Sequence, residues 1–233
     1  NMREYERWTT TAINAYARPM ADQYLARLEG GLGSLGFRGH LYIMTSSGGM
    51  LAPETARRFP VRLLESGPAA GMLMASVHGR ALDLADVLSF DLGGTTAKGA
   101  LVRNFAPLKT EQMEVARVHE FRRGSGLPLR IPVLDMIEIG SGGGSIAAVD
   151  DRGLLKVGPR SAGANPGPAC YGRGGQNAAL SDANLVLGYL DPDFFLGGEM
   201  PLDRDAATGT IQSTVAEPLG LSVERAAWGI HDT

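Results

Sequence analysis

Early in the chain, apolar residues recur at helical spacing. Ile13, Tyr16, Met20, Tyr24, Leu25 and Leu28 predict a helix over 12–32, with Thr9, Thr10 and Thr11 offering its N-cap. Pro19 must kink that helix or open its second part, and Gly30, Gly31 and Gly33 should end it. The pattern then shortens to a buried strand over 41–44, a helix over 52–59 opened by Pro53, and a strand over 61–64. Ser66, Gly67 and Pro68 open a small-residue helix over 69–77. Residues 86–90 read as a buried strand that enters a glycine turn and leaves through 99–102, a β-hairpin. Further strands are expected over 131–134, 136–139, 145–149 and 154–157. Ser181, Asp182 and Asn184 mark the start of a helix through Leu190, and a last helix covers 221–230. Between these lies a stretch from 158 to 175 with six glycines and three prolines, which reads as a long ordered loop. A loop that long inside a compact domain is usually functional or disordered.

Composition changes this picture in one respect. Glycine accounts for 32 of 233 residues, nearly twice the usual share of about 7%, and the excess falls in short clusters. Net charge is −3 and the basic residues are scattered, which gives no footprint for nucleic acid or an anionic membrane. Arg122-Arg123 is too short for a phosphate-tracking stripe and reads as a solvated loop. No apolar run approaches the roughly 18 residues of a membrane span, and the polar start over 1–7 is unlike a signal peptide. A single cysteine, Cys170, excludes an internal disulfide framework and fits a reducing cytosol. The absence of an initiator methionine and of a closing element after Thr233 leads us to expect a piece of a longer polypeptide.

The sharpest chemical signal is Asp91-Leu92-Gly93-Gly94-Thr95 at a strand end. Backbone N–H groups grip a phosphate chain where no side chain intervenes, and Thr95 adds a hydroxyl. A carboxylate just before them, Asp91, suits Mg²⁺ held through water. The competing account is an ordinary hairpin turn closed by Asp91. Thr96 extends the polar turn, and Lys98 either meets a phosphate or is a solvated hairpin residue. Gly142, Gly143 and Gly144 read as part of the site, since three glycines cost backbone entropy that packing alone seldom justifies. Arg160 reads as a loop anchor and Asp182 as a helix cap. Cys170 reads as a small buried apolar residue. His40, His78, His119 and His231 fall in no metal spacing.

The run from Leu88 to Lys98 resembles the second phosphate motif of the actin, sugar kinase and heat-shock chaperone ATPase superfamily. The segment Glu65-Ser66-Gly67-Pro68-Ala69-Ala70-Gly71 sits where that superfamily places the helix crossing between its lobes. More narrowly, four segments in order resemble the hydantoinase A / 5-oxoprolinase family. They are Arg3 to Arg7 with Asn14-Ala15-Tyr16, Glu65 to Gly71, Ile139 to Ala147, and the glycine-proline run from Val157 to Gly172. The resemblance implies an α/β, actin-like (ribonuclease H-like) mixed-sheet ATPase fold, present as an incomplete fragment. Residues 1–80 would end the first lobe, crossing helix included, and 81–233 would form a second lobe truncated at its C-terminus. It implies ATP and Mg²⁺, with Asp91 and Thr95 as catalytic residues. Gly93, Gly94, Thr95, Thr96, Lys98, Gly142, Gly143 and Gly144 would bind nucleotide. The reaction implied is ATP-driven opening of a cyclic amide such as a hydantoin, 5-oxoproline or a lactam. A second, hydantoinase B-like subunit or domain is the expected partner, in the cytoplasm. Alternatives within the resemblance are an ATP-dependent ketone carboxylase subunit of the acetone or acetophenone type, or a non-catalytic nucleotide switch. The first phosphate motif and the usual adenosine-contacting segment are expected outside this chain, so half a cleft and weak ATP turnover are anticipated.

Overall fold

The first helix begins earlier and faces differently than its large apolar residues suggest. In the computed structural model, which describes residues 3–118 and 124–233, α1 spans Glu4–Ser34 without ending at Pro19 or at the glycines near its C-terminus. Thr9, Thr10 and Thr11 therefore lie inside it, and their hydroxyls bond back to the carbonyls of Tyr5, Glu6 and Arg7. The inward stripe is Ile13, Ala17, Ala21, Leu25, Leu28 and Leu32. Tyr16, Met20 and Tyr24 point outward, Tyr16 being 83% exposed. Small alanines allow the close approach that the tyrosines would block.

The chain divides into two compact units. The first comprises the described residues of Asn1–Asp91 and Lys98–Ile137, the second Leu92–Ala97 and Glu138–Thr233. In the first unit, β1 (Ile43–Met44) pairs antiparallel with β2 (Met50–Leu51). α2 (Pro53–Arg58) starts with proline at its first turn, where no N–H is missed. The strand expected over 61–64 is instead a 3₁₀ turn, Pro60–Leu63. Pro60 fixes a helical φ there, and Val61 N–H donates to Asn14 Oδ1 at 3.2 Å rather than to a sheet. α3 covers Ser66–Ala81.

The hairpin forms as expected: β3 (Val87–Leu92) neighbours β4 (Ala97–Arg103), and with β10 (Met136–Ile139) the sheet order is β10–β4–β3, with β5 (Ala106–Pro107) on β4. β6 (Lys109–Thr110) pairs with β9 (Val133–Leu134), and β7 (Met113–Val115) with β8 (Leu127–Leu129), both antiparallel. β10 covers Met136–Ile139, as its sequence predicts. Ala100 and Val102 of β4 pack with Leu134 against Ala69 and Met72 of α3. β3, however, is not the buried strand its composition suggests. Leu88 and Phe90 are 66% and 64% exposed, because alternation turns them to the side of the sheet away from α3. Arg122, Arg123 and His119 lie outside the described residues.

In the second unit, β11 (Ser145–Val149) and β12 (Leu155–Ser161) pair antiparallel with a bulge between Ser145 and Ala147. β12 runs on through Gly158, Pro159 and Arg160, so the expected loop is shorter than its composition implies. Gly158 has φ +73 and lies so close to the Gly140 carbonyl that a Cβ would sit 2.9 Å away, and a two-stranded sheet has edge positions for Pro159. The rest of that segment is turns around a short 3₁₀ helix, Ala169–Tyr171. Then come α4 (Leu180–Val186), α5 (Arg204–Ile211) with a π-helical extension Gln212–Ala216, α6 (Glu217–Leu219) and α7 (Val223–Asp232). Asp203 and Ser222 cap α5 and α7 by accepting from Ala206 N–H and Arg225 N–H. Ala183, Ile211, Val215, Ala227 and Ile230 form the core, with Leu155 and Val157 of β12 against it. Among the described residues, no helix is long and apolar enough to cross a membrane.

Candidate functional site

The glycines of 93–94 and 142–144, separated by almost fifty residues, come together in the second unit. The turn after β3 is closed by Gly93 N–H donating to Thr96 O at 2.9 Å. Gly143 N–H then donates to Gly93 O at 3.0 Å, and Gly144 N–H to Gly94 O at 2.6 Å. Gly142 N–H donates to the buried Ser145 hydroxyl at 2.8 Å. Backbone contacts this close exclude side chains. A Cβ on Gly142 would lie 2.7 Å from three backbone atoms of Thr95 and Thr96, and one on Gly144 would lie 2.9 Å from Gly94 O. The second turn thus spends two of its amides, those of Gly143 and Gly144, on holding the first. Gly94 differs, since a Cβ there would meet nothing within 4 Å.

What the first turn leaves outward is suited to an anion. Among the described residues, the amides of Gly94 and Thr95 and the Thr95 hydroxyl are not donors to any protein group, and the turn is exposed. Asp91, at the end of β3, is exposed and its carboxylate takes no partner among the described residues. It does not accept from Gly93 or Gly94, so it does not close the hairpin. The described residues hold no cluster of three His, Cys, Asp or Glu side chains. Mg²⁺ keeps most of its water shell and needs no all-protein cage, so the exposed Asp91 carboxylate has the chemistry to hold it through water.

Asp91 and Lys98 belong to the first unit and are joined to the turn by the chain itself. Lys98 Nζ sits 2.8 Å from Glu65 Oε2, both side chains being largely shielded. Glu65 immediately precedes α3 with φ +61, the left-handed region where glycine would be less strained.

Sequence reasoning overlooked the serines around the paired turns. Ser161 Oγ lies 3.5 Å from Gly94 O, and Ala162 N–H donates to Gly144 O at 2.8 Å. Ser181 N–H donates to Gly143 O at 2.7 Å. The glycine-proline segment therefore reaches the site through Ser161 and Ala162, not through Arg160. Asp182 does cap α4, accepting from Ala179 N–H at 2.8 Å. It also accepts from Cys170 N–H at 2.7 Å and Ala169 N–H at 3.3 Å. Burial pushes the Cys170 thiol far above its ordinary range, and the neighbouring Asp182 carboxylate pushes it further. The thiol stays protonated and fills a small apolar site. Burial likewise raises the Tyr171 phenol, opposed by the nearby Ser181 hydroxyl.

The chain has an actin-like ATPase-type mixed helix–sheet fold, and solved structures of that fold overlay it. A nucleotide-free acetone carboxylase matches with a TM-score of 0.85 and 31% identity, over 99% of this chain and 31% of that one. The ATP-dependent caprolactamase of Pseudomonas jessenii matches with a TM-score of 0.69 and 38% identity, over 98% and 32%. By sequence, the caprolactamase subunit alpha of that organism is 41% identical over 98% of this chain and 32% of its own length. The hydantoinase/oxoprolinase family model matches residues 7–233. The chain belongs to that family. It spans about a third of the length of these relatives.

Proposed function

We propose that the chain contributes the second phosphate-binding turn of an ATP-dependent enzyme that opens a cyclic amide. The observation carrying this reading is the pair of glycine turns. The turn at 93–94 is held from behind by the backbone of 142–144 and keeps the Gly94 and Thr95 amides and the Thr95 hydroxyl unbonded, while the exposed Asp91 precedes it in the chain. Such preorganised dipoles serve a transferring phosphoryl group without reorganising during the reaction. Gly94 and Thr95 would take phosphate oxygens, and Asp91 would hold Mg²⁺ through its water shell. Amide resonance makes a lactam carbonyl a weak electrophile; ATP, when bound, supplies the phosphoryl group that can cap the amide oxygen and expose the carbon to water. The 41% identity to a caprolactamase subunit supports the hydrolase branch. A second reading, a ketone carboxylase subunit, draws on the backbone likeness to acetone carboxylase at a TM-score of 0.85. Both branches are multi-subunit by name, which supports a partner subunit for this chain.

The deciding experiment measures ATP hydrolysis by the complete gene product, with its co-purifying subunit. It is run with caprolactam, hydantoin or 5-oxoproline, and separately with acetone or acetophenone plus bicarbonate. Stimulation by a cyclic amide with ring-opened product supports the first reading. Stimulation by ketone and bicarbonate alone overturns it in favour of the second.

A further inference from the structure

Besides its contacts through Ser161 and Ala162, the glycine-proline segment is tied to the paired turns through a buried carboxylate. Asp182 is fully buried and accepts three backbone N–H groups, two from the segment (Ala169, Cys170) and one from the entry to α4 (Ala179). The residue before it, Ser181, donates its N–H to Gly143 O at 2.7 Å, and Gly143 N–H donates onward to Gly93 O at 3.0 Å. Ser181 Oγ also lies where a side chain on Gly143 would begin, 2.9 Å from a Cβ placed there. A line of hydrogen bonds thus runs from the segment through Asp182 and its neighbour to the back of the phosphate turn. A helix cap requires one acceptor bond; this carboxylate makes three, on both oxygens.

We propose that Asp182 is a positioning residue of the nucleotide site. It locks the glycine-proline segment to α4 in the register that lets Ser181 hold Gly143 against Gly93. The inference rests on the ATP reading above. Its physical basis is that two carboxylate oxygens can satisfy three inward-pointing amides, whereas an asparagine turns an N–H₂ toward N–H groups on one side. The start of α4 then shifts, and the turn it supports shifts with it. Displacements of about 1 Å at a reacting group cost on the order of 100-fold in rate.

Two measurements on the complete gene product test this. The first is Asp182→Asn, assayed well below its melting temperature, with Asp203→Ala as the comparison. Asp203 caps α5, and its N–H bonds Cys170 O from the other side at 2.8 Å without reaching Gly143. We expect Asp182→Asn to raise KM for ATP or lower kcat by at least about 10-fold. Asp203→Ala should lower the melting temperature alone. Equal kinetic changes in the two variants, or none in Asp182→Asn, overturn the proposal. The second measurement holds if Asp182→Asn does not fold. A cycle of Gly143→Ala, Ser181→Ala and the double variant places a methyl against the Ser181 hydroxyl and then removes that hydroxyl. Recovery of most of the Gly143→Ala kinetic loss in the double variant supports the coupling of α4 to the turn; additive losses overturn it. A wild type that turns over ATP while the cycle is additive sinks this inference alone. A wild type with no ATP turnover sinks the functional reading and this inference with it.

Discussion

Two glycine turns of similar composition do opposite work in this protein. At Gly142 and Gly144 the missing side chains are replaced by backbone at 2.7–2.9 Å. At Gly94 the missing side chain leaves open space, and the neighbouring amides face outward. The first set is a packing device and the second an exposed surface of donors. Glycine in a sequence announces that something comes close, but whether it is the protein or a ligand depends on which face the fold covers.

The largest effect that would sharpen this contrast is chemical. Asp91→Asn should cut substrate-stimulated ATP hydrolysis roughly 100-fold or more while leaving the thermal melt almost unchanged, as when other preorganised groups are removed. Since Gly93 N–H already closes the turn on Thr96 O, the substitution has little to disturb in folding. Near-native turnover in a folded Asp91→Asn protein would remove Asp91 from the site.

Next in size is the supporting turn. Gly142→Ala forces a methyl against three backbone atoms that cannot swing aside, and overpacking of that kind costs about 1–3 kcal/mol. A urea midpoint equal to wild type would show that the two turns are looser than these contacts imply. Gly94→Ala should do the reverse. Its stability should stay within about 0.5 kcal/mol of wild type, as for surface changes elsewhere, while ATP affinity falls because the methyl stands among the outward amides. A Gly94→Ala variant that binds ATP normally would break the contrast outright.

A weaker effect is expected from the chain alone. Calorimetry on the 233-residue protein should give ATP binding weaker than micromolar, because on the proposed reading the turn supplies only one side of a phosphate site. Micromolar affinity would mean that more of the site is present than these turns provide.

The smallest effect is a pH dependence. Burial raises both the Cys170 thiol and the Tyr171 phenol in the folded chain. A folded pKa above the unfolded one means that the folded state keeps its proton longer. The contribution to stability is therefore complete below the unfolded value, about 8.5 for a thiol, and declines as pH rises beyond it. Chemical denaturation should show stability falling from about pH 8.5 upward. The native thiol should resist a disulfide reagent at mildly alkaline pH until the protein unfolds. Rapid labelling of native protein would place Cys170 outside the buried core.

Much of the architecture is legible in the order of the amino acids. The hairpin around Asp91 to Thr95, the strands over 136–139 and 145–149, and α2 and α3 follow from short-range causes: apolar runs, prolines at first turns, glycines at reversals. The family resemblance carried by the glycine-proline run is likewise written in the residues. Other features depend on what is adjacent in space. Tyr16, Met20 and Tyr24 look like a core stripe, but Ala17 and Ala21 face inward because the packing is close. Residues 61–64 look like a strand, but Asn14 supplies the partner that turns them into a 3₁₀ helix. Leu88 and Phe90 have core composition on the open side of their sheet. Local sequence sets which backbone conformations are cheap, and so determined the elements and their turns. Only the tertiary structure decided which glycine meets backbone and which meets solvent, because residues almost fifty positions apart must first arrive within about 3 Å of each other, hydrogen-bond distance.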